Sequence, residues 1–253
     1  SRMVAVAGPG TRLAALMLAN NELGTLQPVA ELAAGLRERG VPVLCDAVQA
    51  VGKIAVSVHE LGVDYLTLAA HKFHGPLGAA ALWIRAGAAF SPLLVGGAQE
   101  RQRRASTVNV PAVVGFGKAC ALAARDLPAR HARLRQLRER FEAGLAAIPG
   151  ARVHCAGAPR LPHTSHVAFP GLVGQELMIR LDLLGLAVST GAACGSGTVR
   201  ASPTLTAMGM AHEEAIASLR VSFGLSNTAE EVDALRPALA QAVAALRSAA
   251  VAR

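Results

Sequence analysis

Tyr65-Leu66-Thr67-Leu68-Ala69-Ala70-His71-Lys72-Phe73-His74-Gly75-Pro76-Leu77-Gly78 is the stretch on which the fold turns. Residues 65–69 have the short, mostly apolar pattern of a buried strand, and the strand closes on the polar pair His71-Lys72. A lysine placed directly after such a strand sits where desolvation disfavours its charge. The same effect makes its amine a good nucleophile toward a carbonyl carbon. Taken alone, Lys72 reads first as a lysine that reaches solvent from a strand end. His71 and His74 are spaced as a weak metal pair, but no third ligand accompanies them, so no metal is expected.

Working outward, the same pattern repeats. Residues 41–45 form a buried-strand run closing on Asp46, and residues 79–84 form another. Residues 13–19 are an apolar run ending at Asn20-Asn21-Glu22. Residues 28–39 read as a helix, with proline at the start and Gly40 past the end. Strand–helix–strand alternation argues for an α/β sheet, parallel at least in part. Polar residues just past strand ends line the ligand crevice of such sheets, and here these are Asn21, Asp46 and Lys72. Asp46 needs a cationic or hydrogen-bonding partner, although an N-cap role would also satisfy it.

The second half has a different texture. Residues 111–148 are helical in pattern, with an interruption expected near Pro128. Residues 152–155, 165–169, 186–189 and 219–223 read as strands, and 174–184 and 229–250 as helices. This is an α+β unit, and the boundary is expected near Asp126, giving domains 1–125 and 126–253. In the second unit, Ser189-Thr190-Gly191-Ala192-Ala193-Cys194-Gly195-Ser196-Gly197 surrounds a cysteine with small residues. That setting suits a mobile, accessible thiol. Cys45, Cys120 and Cys155 fall in strand or helix patterns and read as inert core residues. Arg220, in Leu219-Arg220-Val221-Ser222-Phe223, is an arginine in an apolar strand. It calls for a carboxylate or phosphate partner, from the protein or from a ligand.

Composition narrows the function. Of 253 residues, 52% are hydrophobic and 17% charged, which excludes a disordered chain. No run approaches the roughly 20 apolar residues of a membrane helix. The net charge of +8 raises the question of nucleic acid, but aromatics are only 3%, too few for a base-stacking surface. None of the four cysteines forms a CxxC pair, so they read as reduced thiols of a cytoplasmic protein. Lysines occur only at positions 53, 72 and 118. Lys53 follows a loop glycine and Lys118 lies in a helical pattern, which leaves Lys72 as the candidate carbonyl-reactive amine.

Taken in order, these pieces resemble the cysteine desulfurases of the NifS/IscS type, within the class V aminotransferases. They are Asn20-Asn21-Glu22-Leu23-Gly24, Asp46-Ala47-Val48-Gln49 with Gly52-Lys53, His71-Lys72 with His74-Gly75-Pro76, Gly96-Gly97 with Gln99-Glu100, Arg104-Ala105-Ser106-Thr107-Val108-Asn109, the Cys194 loop, and Arg220-Val221-Ser222. The resemblance implies a fold type I pyridoxal phosphate enzyme: the large domain carries a mainly parallel sheet and the small one is α+β. It implies that Lys72 carries the cofactor, Asp46 pairs with its ring nitrogen, and Gln49 and Asn21 lie against it. His71 and Thr107 would hold the phosphate, Thr107 across a homodimer interface. Arg220 would clamp the carboxylate of L-cysteine. Cys194 would take the sulfur as a persulfide, release alanine and pass sulfur to an acceptor or scaffold protein for Fe–S cluster or thio-cofactor synthesis. Two departures from the family pattern stand out. Ala69 occupies a position where a serine usually binds phosphate, and only about 20 residues precede Asn21, so the chain reads as a family member without its N-terminal portion. The alternatives are another class V enzyme, such as an aminotransferase or a selenocysteine or cystine lyase, and a truncated form inactive on its own.

Overall fold

A computed structural model describes residues 2–190 and 200–251. In the first part, helix α1 (Arg2–Val6) precedes β1 (Ala14–Met17), α2 (Val29–Arg37), β2 (Val43–Asp46), α3 (Val58–Leu61) and β3 (Tyr65–Ala69). A 3-10 turn (Ala70–Phe73) leads to β4 (Ala80–Ile84), the distorted turn α4 (Gln99–Gln102) and α5 (Val110–Gly144). The four strands lie in the order β1-β2-β3-β4; the first three are parallel and β4 is antiparallel to β3. The antiparallel strand follows from the short connection: a parallel partner needs a crossover of a dozen or more residues, and only residues 70–79 separate β3 from β4.

The helices lie where the apolar periodicity puts them. Val29, Leu32, Ala33 and Leu36 form the buried stripe of α2. On α5, Ala112, Phe116, Ala119 and Ala123 recur at helical spacing and pack with Ala70, Phe73 and Ala79. Pro128 does not interrupt α5, which runs 35 residues through it. The proline lacks one donor, and packing on both sides of it outweighs that loss.

The second part adds β5 (Arg152–Val153), β6 (Thr164–Ala168), α6 (Gly174–Asp182), α7 (Pro203–Ala207), α8 (His212–Ile216), β7 (Ser218–Ser222) and α9 (Ala229–Val251). Strands β5, β6 and β7 form an antiparallel sheet in that order. Val167, Phe169, Leu219, Val221 and Phe223 pack on Leu137 and Phe141 of α5, Leu177 and Leu181 of α6, and Leu235 and Leu239 of α9. Residues 186–189 do not form a strand; only Ser189 bridges to Arg220. Cys155 is not in a strand either: it sits in a turn past β5, half-buried, with φ 55°.

The chain divides into two compact units, Ser1–Ala19 with Gln27–Leu127 and Asn20–Leu26 with Pro128–Arg253. The excursion of Asn20–Leu26 into the second unit has no compositional signal. Its causes are local contacts: Leu26 N–H donates to the Pro159 carbonyl (2.9 Å), and Leu161 N–H donates to the Gly24 carbonyl (2.7 Å). Gly24, at φ 72°, lies against Thr164, so a side chain there would meet the Thr164 methyl at 3.4 Å.

Candidate active site

In the first unit the site begins at the end of β3. Ala70 N–H bonds the Ala79 carbonyl (3.0 Å) and the chain coils once through Ala70–Phe73. His74 then adopts a left-handed φ of 69° and Gly75 N–H returns to the Ala70 carbonyl at 2.8 Å. A Cβ on Gly75 would lie 2.7 Å from Ala70 Cβ, so this turn closes only on glycine. Phe73 is buried and its ring lies 5.8 Å from that of Phe116. With Ala70 and Phe73 turned inward, His71 and Lys72 are left on the exposed side of the turn.

The neighbouring parallel strand supplies a carboxylate. Asp46 ends β2 in register with Thr67 of β3. Its Oδ1 accepts from Val48 N–H (2.9 Å) and from the Thr67 hydroxyl (3.3 Å). Oδ2 takes no hydrogen bond among the described residues, which leaves it for a cationic partner. The turn after Asp46 carries the half-buried Gln49. The turn then reaches Gly52, whose φ of 77° and approach to Phe73 (2.7 Å from an added Cβ to Phe73 Cβ) exclude a side chain. This brings Lys53 against the lysine turn, where its Nζ donates to the Lys72 carbonyl at 3.1 Å.

That contact corrects the expectation for the two lysines. Lys72 is exposed, and the desolvated amine is that of Lys53. Burial first, and the charge of Lys72 second, push Lys53 down to about 8. Gly52-Lys53 belonged to the family pattern, but nothing in its spacing revealed the burial. Cys45 is buried behind Asp46, and burial, with the Asp46 charge secondary, pushes its thiol up to about 12. It stays a protonated core residue. Thr107 is exposed between α4 and α5, and among the described residues no hydrogen bond joins it to Lys72, His71 or Asp46.

In the second unit the structure brings together Asn21 and Arg220. Asn20 Oδ1 accepts from Glu22 N–H (2.9 Å) and Leu23 N–H (2.8 Å), which curls the segment. Leu23 anchors it in a cluster with Leu205 and Ala215. The buried Glu22 accepts from the Thr204 hydroxyl at 3.2 Å. Asn21 is left exposed, and its carbonyl accepts from Arg220 Nη1 at 2.8 Å. Among the described residues Arg220 forms no ion pair, so its remaining donors are uncommitted. Cys194 lies outside the described residues.

The residues the sequence reading missed are His154 and His166. Their Nδ1 atoms lie 2.8 Å apart and their rings are stacked at 5.1 Å. Alternation along Thr164-Ser165-His166-Val167-Ala168 was the available signal, since it places His166 on the face opposite the apolar core. Among the described residues, no group of three or more His, Cys, Asp or Glu is placed to hold a metal ion, and no helix is long and apolar enough to cross a membrane.

The comparisons agree with this layout. A family model described as aminotransferase class-V matches residues 2–235. The cysteine desulfurase IscS of Methanosarcina thermophila is 42% identical over 240 residues, covering 94% of this chain and 59% of that protein. A cysteine desulfurase of Cereibacter sphaeroides is 44% identical over 245 residues, covering 96% of this chain and 62% of that protein. The structure of a NifS-like protein from Rickettsia africae ESF-5 superposes with a TM-score of 0.87 at 31% identity, covering 95% of this chain and 64% of that one. A second NifS-like protein gives 0.88 at 34% identity, covering 97% and 64%. The chain thus spans only about three-fifths of the length of the curated relatives it matches, 59% and 62%. With its strand-end lysine, its adjacent aspartate and a family match over nearly its whole length, the chain belongs to the class-V aminotransferases, pyridoxal phosphate enzymes of fold type I.

Proposed function

We propose that the protein carrying this chain is a cysteine desulfurase: it converts L-cysteine to L-alanine and passes the sulfur on. The observation that carries the reading is the likeness, at 42% and 44% identity over nearly the whole chain, to proteins named cysteine desulfurase. The donor set fits the family's cofactor. An amine (Lys72) and a carboxylate with one uncommitted oxygen (Asp46) stand at the ends of adjacent parallel strands. Ala69 supplies no hydroxyl for a phosphate, and by the family likeness His71 and Thr107 would help hold it. Pyridoxal phosphate, when bound, supplies an electron sink for bonds broken at the amino acid's carbons.

The chain's own residues divide the remaining work. Lys72 would hold the cofactor and would move the proton at the substrate's α-carbon. Asp46 would pair with the ring nitrogen, and Gln49 and Asn21 would lie near the cofactor and the substrate. Arg220 takes the substrate carboxylate through its uncommitted guanidinium donors. Cys194, as thiolate, forms an S–S bond to the substrate sulfur while the C–S bond breaks. A proton goes to the freed carbon, so cysteine and a thiol become alanine and a persulfide. The persulfide then goes to an acceptor or scaffold protein for Fe–S cluster or thio-cofactor synthesis.

Residues 1–125 act in this reading as the cofactor-binding domain and 126–253 as the small domain. Exposed Leu93, Val95, Val110 and Val114 support a homodimer interface on the first unit. The free thiols of Cys45, Cys120 and Cys155 support a reducing cytoplasm. The test is alanine and sulfide formation from L-cysteine by the complete protein. Lys72→Ala loses cofactor absorbance and both products; if Cys194→Ser keeps full sulfur transfer, the desulfurase reading fails.

A further inference from the structure

If Arg220 takes the substrate carboxylate, as proposed above, its neighbours must leave the guanidinium unpaired. A protein carboxylate beside it would claim it as a local ion pair, and a cation beside it would repel it. Among the described residues no carboxylate pairs with Arg220. Four residues occupy one line across the sheet. His154 N–H donates to the His166 carbonyl (2.8 Å), His166 is in register with Arg220, and Arg220 bridges to Ser189. Residues so paired hold their Cβ atoms about 5 Å apart.

His166 is fully buried, and its ring stacks on that of His154 with centroids 5.1 Å apart. Its Nδ1 lies 2.8 Å from His154 Nδ1. At that distance one ring nitrogen donates and the other accepts, so the two rings cannot both be imidazolium. His154 Nε2 looks toward Glu214 Oε1 (3.9 Å), which also pairs with Arg152 (3.1 Å). One of the two Nδ1 atoms carries the proton they share. Among the described residues neither His154 Nε2 nor His166 Nε2 has a hydrogen-bond partner. Burial first, then His154 and Arg220, push His166 down to about 3.

We propose that His166 is a positioning residue for substrate binding: an uncharged imidazole, held ring-to-ring by His154, that flanks Arg220 without pairing with it and so leaves the guanidinium for the α-carboxylate of the amino-acid substrate. The test uses the complete, cofactor-loaded protein and L-cysteine. His166→Asp places a carboxylate beside Arg220 and raises KM about tenfold or more, with kcat within about twofold. His166→Asn, polar and uncharged, stays within about threefold of the parent in both constants. Equal KM for the Asp variant and the parent overturns the proposal, and so does a kcat loss in the Asn variant as large as in the Asp variant. If His166→Asp does not fold, the parent decides alone. With ¹⁵N-labelled histidine, the His166 ring shows the signature of a neutral imidazole at pH 6, and an imidazolium signal there overturns the proposal. Arg220→Gln separates the two readings. If it raises KM while His166→Asp does not, Arg220 keeps its role and His166 loses its own; if it leaves KM unchanged, both fall.

Discussion

Lys53 is where the structure predicts a pH effect that the sequence did not. Its amine is pushed down to about 8 from an ordinary 10.5 by burial and by the charge of Lys72. In the unfolded chain it titrates near the ordinary value. Between those two pH values the unfolded chain holds a proton that the folded chain has released. Unfolding therefore takes up a proton, and the folded state gains stability as pH rises. Below pH 8 both states are protonated, and the cost of holding the charge in its site is complete. That cost is about 3 kcal/mol at most, and about half that once the residual hydration of the half-buried amine is allowed for. Lys53→Met removes the titration together with the 3.1 Å bond to the Lys72 carbonyl, a bond worth about 1 kcal/mol at every pH. The variant's stability relative to the parent therefore falls by about 1.5 kcal/mol between pH 7.5 and pH 10. Urea unfolding of both proteins at steps across that window measures it, with fluorescence of Trp83, which lies in β4 of the same sheet. A stability difference that stays flat from pH 7.5 to 10 refutes the reasoning, because it means that Lys53 does not change its proton affinity on folding.

Three further outcomes are expected. Gly75→Ala drives a methyl to 2.7 Å from Ala70 Cβ, so cofactor affinity, read by absorbance titration, falls by more than about tenfold while far-UV circular dichroism is kept. Phe141→Ala empties a fully buried site that packs edge-on to Phe223 at 5.7 Å; the second unit loses about 3–5 kcal/mol in denaturant unfolding. Arg220→Gln leaves the Asn21 carbonyl without its 2.8 Å donor and removes the charge, raising KM for L-cysteine by about tenfold or more with a smaller change in kcat.

Much of the first sheet was legible because each strand is a short apolar run with a polar stop. Residues 65–69 read as a strand and are one, and 79–84 differs from β4 by a single residue. The positions of Asp46 at the end of β2 and Lys72 just past β3 were legible for the same reason: a polar residue at a strand end marks itself. What failed needed long-range information. Residues 186–189 look like a strand but find a single bridge, Ser189 to Arg220, while Leu186 and Val188 pack against the core of the second unit. Pro128 looks like a helix break, yet Ala123 before it and Leu134 after it are both buried in well-packed cores. Lys53 reads as a loop residue, and only the close approach of Gly52 to Phe73 reveals its burial. His154 and His166 are twelve residues apart and meet only through the strand pairing.

The most direct test of the central claim follows the sulfur. The complete protein, loaded with pyridoxal phosphate and given L-cysteine without an acceptor, is quenched and mapped by mass spectrometry while alanine is counted. The account predicts one alanine formed per sulfur atom added to the peptide containing Cys194. Alanine formed with no sulfur on that peptide, or pyruvate formed in place of alanine, contradicts it.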